Sequence, residues 1–301
     1  MKAGFVGLIG MPNAGKSTLM NFLIDEKVSI VTPRPQTTRR RVHGIWNTPQ
    51  SQIIFVDAPG LVSSKPGLFE FLAQEVQEVI SESDALVAVL SIDQKTKEEI
   101  EEILNLVKKS NKPWLAVITK TDLDDKAHRA VILQDMVKAL GGTTLSISLT
   151  RKDGFIAQDR QALLEGITNL LPESEAPLYD PELYTTETMR DLICEIVREK
   201  CFLNLKDEVP YTIAIRTIEF KEEALPVPRI TLEILVSKEN HKGIVIGKGG
   251  LLLKKIGQES RKEIEKLMGK KIFLGLNVSA REGWSDNKRI MKELGYFHDR
   301  R

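Results

Sequence analysis

Residues 10–17 read Gly-Met-Pro-Asn-Ala-Gly-Lys-Ser, the pattern G-x-x-x-x-G-K-S, and their surroundings constrain the chain more than the pattern does. The apolar run 5–9 precedes them, and a helical stretch opening Thr18-Leu19-Met20 follows. A strand, a glycine loop and a helix in that order aim backbone N–H groups and the positive end of the helix dipole at one point, which suits a polyphosphate. Gly10, Asn13, Ala14, Gly15 and Thr18 would then line the phosphates. Lys16 can reach the β- and γ-phosphates, and the Ser17 hydroxyl can ligate Mg²⁺.

The first ~170 residues alternate short apolar runs with amphipathic stretches, the pattern of a mostly parallel α/β sheet covered by helices on both faces. Strands are expected over 5–9, 42–46, 52–56, 85–90, 114–118 and 144–147, and helices over 69–81, 97–109, 129–140 and 162–171. Three prolines in the polar stretch 171–181 favour an extended linker, placed at 172–184 between domains 1–171 and 185–301. Beyond it the order changes to helix (186–201), strands (211–219 and 229–237), a short helix ending at Ile246, a glycine turn, a helix (251–268) and a strand (271–278). That is a smaller α+β domain of order αββααβ.

At 301 residues two domains are the natural division. A net charge of +1 excludes a globally basic nucleic-acid binder, so any such site must be a local patch. Cys194 and Cys201 carry no metal-ligand spacing and read as reduced core or surface thiols. No secretory leader and no run of about 20 apolar residues is present in the sequence.

Two further motifs follow the phosphate loop. Asp57-Ala58-Pro59-Gly60 closes the apolar strand 53–56, where a Mg²⁺-organising carboxylate belongs, and Gly60 can bring a bare backbone N–H to the γ-phosphate. Between the two lies Gln36-Thr37-Thr38-Arg39, a polar segment in which a threonine hydroxyl can complete the Mg²⁺ shell only while the γ-phosphate is present. After the strand 114–118 comes Thr119-Lys120-Thr121-Asp122. The Asp122 carboxylate can accept from N1–H and the N2 amine of guanine, donors adenine lacks, while the stem of Lys120 packs across the purine. Ser148-Leu149-Thr150, after the next strand, are placed to close over the base with backbone N–H groups.

In the second domain Gly247-Lys248-Gly249-Gly250 forms a G-x-x-G turn between two helical stretches. From His241 to Lys271 nine Lys/Arg face three Glu, an excess of +6 around that turn. The arrangement resembles a type II KH domain, whose G-x-x-G loop clamps about four nucleotides of single-stranded RNA. Of the apolar residues flanking the turn, Ile244, Ile246 and Leu251, at least two are expected in the core.

Together these residues resemble the translation-factor-related GTPases, and specifically the Era family, over essentially the whole chain. The family's G-x-P-N-x-G-K-S is matched at Gly10–Ser17, its Q-T-T-R at Gln36–Arg39 and its D-x-P-G at Asp57–Gly60. The resemblance implies a metal set of Ser17, Thr38 and Asp57, and catalytic work by Lys16, Thr38, Gly60 and Asn13. Two motifs depart: N-K-x-D begins here with Thr119, and S-A-x reads Ser148-Leu149-Thr150. Because asparagine ordinarily bonds both base and phosphate loop, part of the guanine affinity is in question at Thr119, whereas Asp122 keeps the specificity. Leu61 stands where many small GTPases carry a water-orienting glutamine, so slow intrinsic hydrolysis is expected, with Asn13 helping to hold a K⁺ ion near the phosphates.

The resemblance further implies a monomeric, cytoplasmic switch binding GTP and GDP. It would bind 16S ribosomal RNA through Gly247–Gly250 and assist assembly of the 30S subunit. It would also allow weak peripheral association with the inner face of the membrane. Two other readings stand beside it: a membrane-surface signalling or cell-cycle GTPase, and a phosphate-loop ATPase that has lost guanine preference.

Overall fold

The structure, a computed structural model, describes residues 1–62, 66–94, 96–123, 127–149, 156–224 and 226–296. Its chain divides into two compact units, one formed by residues 1–64 and 72–186, the other by 65–71 and 187–301.

The first unit is built on a six-stranded sheet in the order β2-β3-β1-β4-β5-β6. Its strands are β1 (Lys2–Ile9), β2 (Val42–Thr48), β3 (Ser51–Asp57), β4 (Ala85–Ser91), β5 (Trp114–Thr119) and β6 (Thr144–Ser146). All neighbours run parallel except β2, which pairs antiparallel with β3. Every residue of β3 and β4 is buried, as strands sandwiched between helix layers must be. One face, with Val6, Leu8, Phe55, Val87 and Val117, packs with Leu19 and Leu23 of α1 (Lys16–Ile24) and Leu163 and Ile167 of α5 (Ile156–Thr168). The other face, with Ile9, Val56, Leu86 and Ile118, packs with α2 (Leu68–Glu82), α3 (Lys97–Lys109) and α4 (Ala127–Ala139).

The strand order reverses at β1, which has β3 on one side and β4 on the other. In open α/β sheets the crevice at such a reversal, beyond the carboxyl ends of the strands, is where ligands bind. Register puts Asp57 beside Leu8 and Thr119 beside Ser91, so both finish their strands at that edge.

The proline-bearing segment after α5 lies along the first unit's sheet. Gln52 accepts from the backbone N–H groups of Leu178 and Tyr179 and donates to the Tyr179 carbonyl, and the Thr185 hydroxyl donates to the carbonyl of His43. Isolated backbone bonds add to these ties, Ala3 N–H to the Pro172 carbonyl and Ile45 N–H to the Tyr184 carbonyl, with no continuous ladder between them.

The second unit holds a three-stranded sheet, β7 (Ile213–Lys221), β8 (Arg229–Val236) and β9 (Phe273–Ala280), in that order. β7 and β8 are antiparallel, and β9 is parallel to β8. With α6 (Met189–Asn204), α7 (Glu239–Ile246) and α8 (Leu251–Met268) the order is αββααβ, as expected from the sequence, and α9 (Lys288–Glu293) follows. The core joins Ile193, Val197 and Phe202 of α6 to Ile213, Leu232, Ile234, Val236, Ile256 and Ile264. Cys201 belongs to it, and burial pushes its thiol up to about 12, so it is an inert core residue. Among the described residues no helix is long and apolar enough to cross a membrane.

Candidate functional site

β1 delivers the chain into the loop from Gly10, and α1 starts at Lys16, so the strand–loop–helix context inferred for the phosphate loop is present. The Lys16 ammonium, buried in the loop, donates to the carbonyls of Gly10 and Met11, both at 3.0 Å. Burial lowers its pKa to about 8, and the Asp57 charge opposes that drop. A γ-phosphate would add a second anion beside Asp57 to favour the charged ammonium.

Ser17, Thr38 and Asp57, far apart in sequence, meet within one hydrogen-bond shell. The Ser17 hydroxyl donates to Asp57 Oδ2 at 2.5 Å and lies 3.0 Å from Thr38 Oγ1, which stands 3.4 Å from the same carboxylate oxygen. Asp57 Oδ1 is buried with no hydrogen-bond partner, and burial raises the carboxyl's pKa despite the Lys16 charge. An orphaned carboxylate oxygen flanked by two hydroxyls is a fitting hard-oxygen donor set for Mg²⁺. Bound there, the ion would draw charge from the β- and γ-phosphates.

Gly60 is required by close approach. A Cβ on it would come within 2.6 Å of the Pro12 backbone nitrogen, so the segment after Asp57 lies directly on the phosphate loop. Leu61 donates its backbone N–H to Gly10 and packs, partly buried, against the apolar cluster of Val56 and Ala58. It has no group to orient water. Asn13, with φ +62, donates its side-chain amide to the Pro33 carbonyl of the switch segment at 3.1 Å. A cleft of about 740 Å³ runs between the loop residues Met11–Thr18, the segment 30–38, Gly60 and Lys120.

The base-reading residues lie at the ends of β5 and β6. The Asp122 side chain is exposed, and its Oδ1 accepts from the Ser148 hydroxyl at 2.6 Å, which aims the carboxylate. The Ser148 side chain thus takes part in the arrangement, beyond the backbone role expected of it. Lys120 Nζ bonds Asp93 Oδ2 at 2.8 Å, and Leu149 packs against the first core cluster. Thr150 lies outside the described residues. Thr119, 1% exposed, donates to the Ala14 carbonyl at 2.7 Å. The hydroxyl thus ties β5 to the phosphate loop, the bond an asparagine there would make. Its single proton is committed to that carbonyl.

Ser29 and Asn21 are site residues that sequence reasoning missed. Ser29 donates to Asp57 Oδ2 at 2.7 Å, and Asn21 holds the backbone of Val28 and Ser29. Neither belongs to a motif, and no sequence signal marks them.

In the second unit Gly247, Gly249 and Gly250 all have positive φ, at +73, +59 and +76. Space around Gly249 and Gly250 is open, whereas a Cβ on Gly247 would meet that of Leu252 at 2.6 Å. Lys248 is exposed on this turn. A groove of about 450 Å³ continues from Gly250 along α8 and β9, between Lys254, Gly257 and Arg261 on one side and Leu274 and Leu276 on the other. The expectation that at least two flanking apolar residues are core is overturned: Ile244 is 47% and Leu251 68% exposed. Ile244 lies off the buried side of α7, which is set by His241 and Val245 one turn apart, and Leu251 opens α8 on its exposed side.

These two units define a phosphate-loop GTPase domain followed by a KH domain. The family model described as 50S ribosome-binding GTPase matches residues 5–120, and the KH domain model matches 208–285. GTPase Era of Geobacter metallireducens is 38% identical over 300 residues, covering 98% of each chain. GTPase Era of Deinococcus radiodurans is 38% identical over 296 residues, covering 98% of this chain and 94% of that one. Two crystal structures of Era superpose with a TM-score of 0.90. One, a variant from Aquifex aeolicus bound to GDP and tetrafluoroaluminate, is 34% identical and covers 98% of this chain and 99% of its own. The other, a complex with MgGDPNP and nucleotides 1506–1542 of 16S ribosomal RNA, is 35% identical with the same coverage. The chain belongs to the Era family of GTPases.

Proposed function

We propose that this chain is a GTP-driven switch that binds 16S ribosomal RNA through the Gly247–Gly250 turn and its groove, and assists assembly of the 30S subunit in the cytoplasm. One observation carries the switch: Thr38, on the segment that must sense the γ-phosphate, already shares Asp57 with Ser17. Bound GTP would fix Thr38 on the metal and Gly60 on the γ-phosphate, and hydrolysis would release both. The RNA partner is supported by the Era complex with 16S nucleotides and by the open glycine turn of this chain. Crosslinking the protein to RNA in cells and sequencing the bound fragments tests it. Enrichment of the 16S 3′ end is expected; fragments scattered over unrelated RNAs would refute it.

The catalytic set is Lys16, Thr38, Gly60 and Asn13. Leu61 is packed away and orients no water, so further electrostatic help at the phosphates would have to offset that loss. Asn13 lines the phosphate-loop cleft and donates its amide N–H to the Pro33 carbonyl, which leaves its amide oxygen as a donor of the kind K⁺ accepts. Turnover in KCl should exceed turnover in NaCl; equal rates would remove K⁺ from the account.

A further inference from the structure

Three hydroxyls converge on Asp57, and only two of them, Ser17 and Thr38, come from motifs. The third is Ser29, 2% exposed, donating to Oδ2 at 2.7 Å. Its backbone is held by Asn21: Asn21 Oδ1 accepts from the N–H groups of Val28 and Ser29 at 3.0 and 2.9 Å, and Nδ2 donates to the Ser29 carbonyl at 2.7 Å. Asn21 stands one turn beyond Ser17 on α1. The path from Ser17 to Asp57 to Ser29 to Asn21 thus returns to the helix it left. Every link is a hydrogen bond to a buried or half-buried group.

We propose that Ser29, clasped by Asn21, is a positioning residue for Mg²⁺. It occupies Asp57 Oδ2 and so keeps the unpartnered Oδ1 free as the oxygen that serves the ion. Groups that orient a ligating carboxylate tune metal affinity without touching the metal. The clasp includes neither Thr37 nor Thr38 and needs no γ-phosphate. Ser29 therefore acts equally in the GDP and GTP states, whereas Thr38 acts in the GTP state alone. This inference rests on the reading of Ser17, Thr38 and Asp57 as the metal site.

The test is the free-Mg²⁺ dependence of fluorescent-nucleotide release from the full chain, measured with GDP and with a non-hydrolysable GTP analogue. Ser29→Ala should raise the Mg²⁺ concentration needed for half-maximal retention about tenfold, and by the same factor for both nucleotides. Ser29→Cys, with a weak donor of similar shape, should fall between. Thermal unfolding without Mg²⁺ is read in parallel. A lowered unfolding temperature with an unmoved Mg²⁺ midpoint would make Ser29 merely structural, and a shift confined to the GTP analogue would also overturn the proposal. Asp57→Ala separates the two levels. If it leaves the Mg²⁺ dependence intact, the metal site itself is misread; if it abolishes the dependence while Ser29→Ala does not move it, only the role of Ser29 fails.

Discussion

Asp57 and Lys16 are buried beneath the phosphate loop, and burial disfavours the charged form of each. For Asp57 the folded-state pKa lies above the ordinary 3.8, so the metal-free fold binds more protons than the unfolded chain. Stability without Mg²⁺ should therefore decline as pH rises from that value through the raised one, and Mg²⁺ should restore it. Asp57→Asn, which is neutral, should unfold at a higher temperature than the parent at neutral pH without metal, and gain nothing from Mg²⁺. Calorimetric scans with and without EDTA measure this. For Lys16, with a pKa of about 8, the polyphosphate restores the charged form. Nucleotide binding above pH 8 should therefore take up protons, detectable from the dependence of binding heat on buffer ionisation enthalpy. At Thr119, Thr119→Val removes the bond to Ala14 and leaves its carbonyl unpaired. Nucleotide affinity should then drop by about 1–3 kcal/mol, with guanine still preferred over adenine. Competition of GTP and ATP for the variant reads both effects.

At the scale of elements, the phosphate loop, the D-x-P-G strand end and the G-x-x-G turn were legible because each is a local pattern. Consecutive residues set the backbone there, and the chemistry follows from their order. What sequence could not show are contacts across long stretches of chain. Ser29 reaches Asp57 over 28 residues, Ser148 reaches Asp122 over 26, and Thr119 reaches Ala14 over 105. Their side chains are ordinary hydroxyls, and it is the strand order that brings them together: β3 beside β1 for the Asp57 end, β5 beside β6 for Asp122 and Ser148. The positions of Ile244 and Leu251 were misjudged for a related reason. On the short α7 the buried stripe is His241 and Val245, which leaves Ile244 outside, and beyond it three residues of positive φ set the direction in which α8 starts at Leu251. Gly249→Ala tests that turn. With φ at +59 and open space around it, the substitution should cost about 1 kcal/mol from backbone strain alone. The Cβ it adds points into the open space where an RNA phosphate must approach, so RNA affinity should fall well beyond that stability loss.

For the whole molecule the central claim is that one chain couples a guanine-nucleotide site to a single-strand RNA site. Two compact units, each with its own apolar core, house the two sites. The most direct test is fluorescence anisotropy of a short RNA carrying the 16S 3′ end, titrated with the full chain in Mg²⁺ plus either a GTP analogue or GDP. Tighter binding is predicted with the GTP analogue, falling steeply with salt and lost on Lys248→Glu. Equal affinity in both nucleotide states, or binding indifferent to Lys248→Glu, would contradict the account.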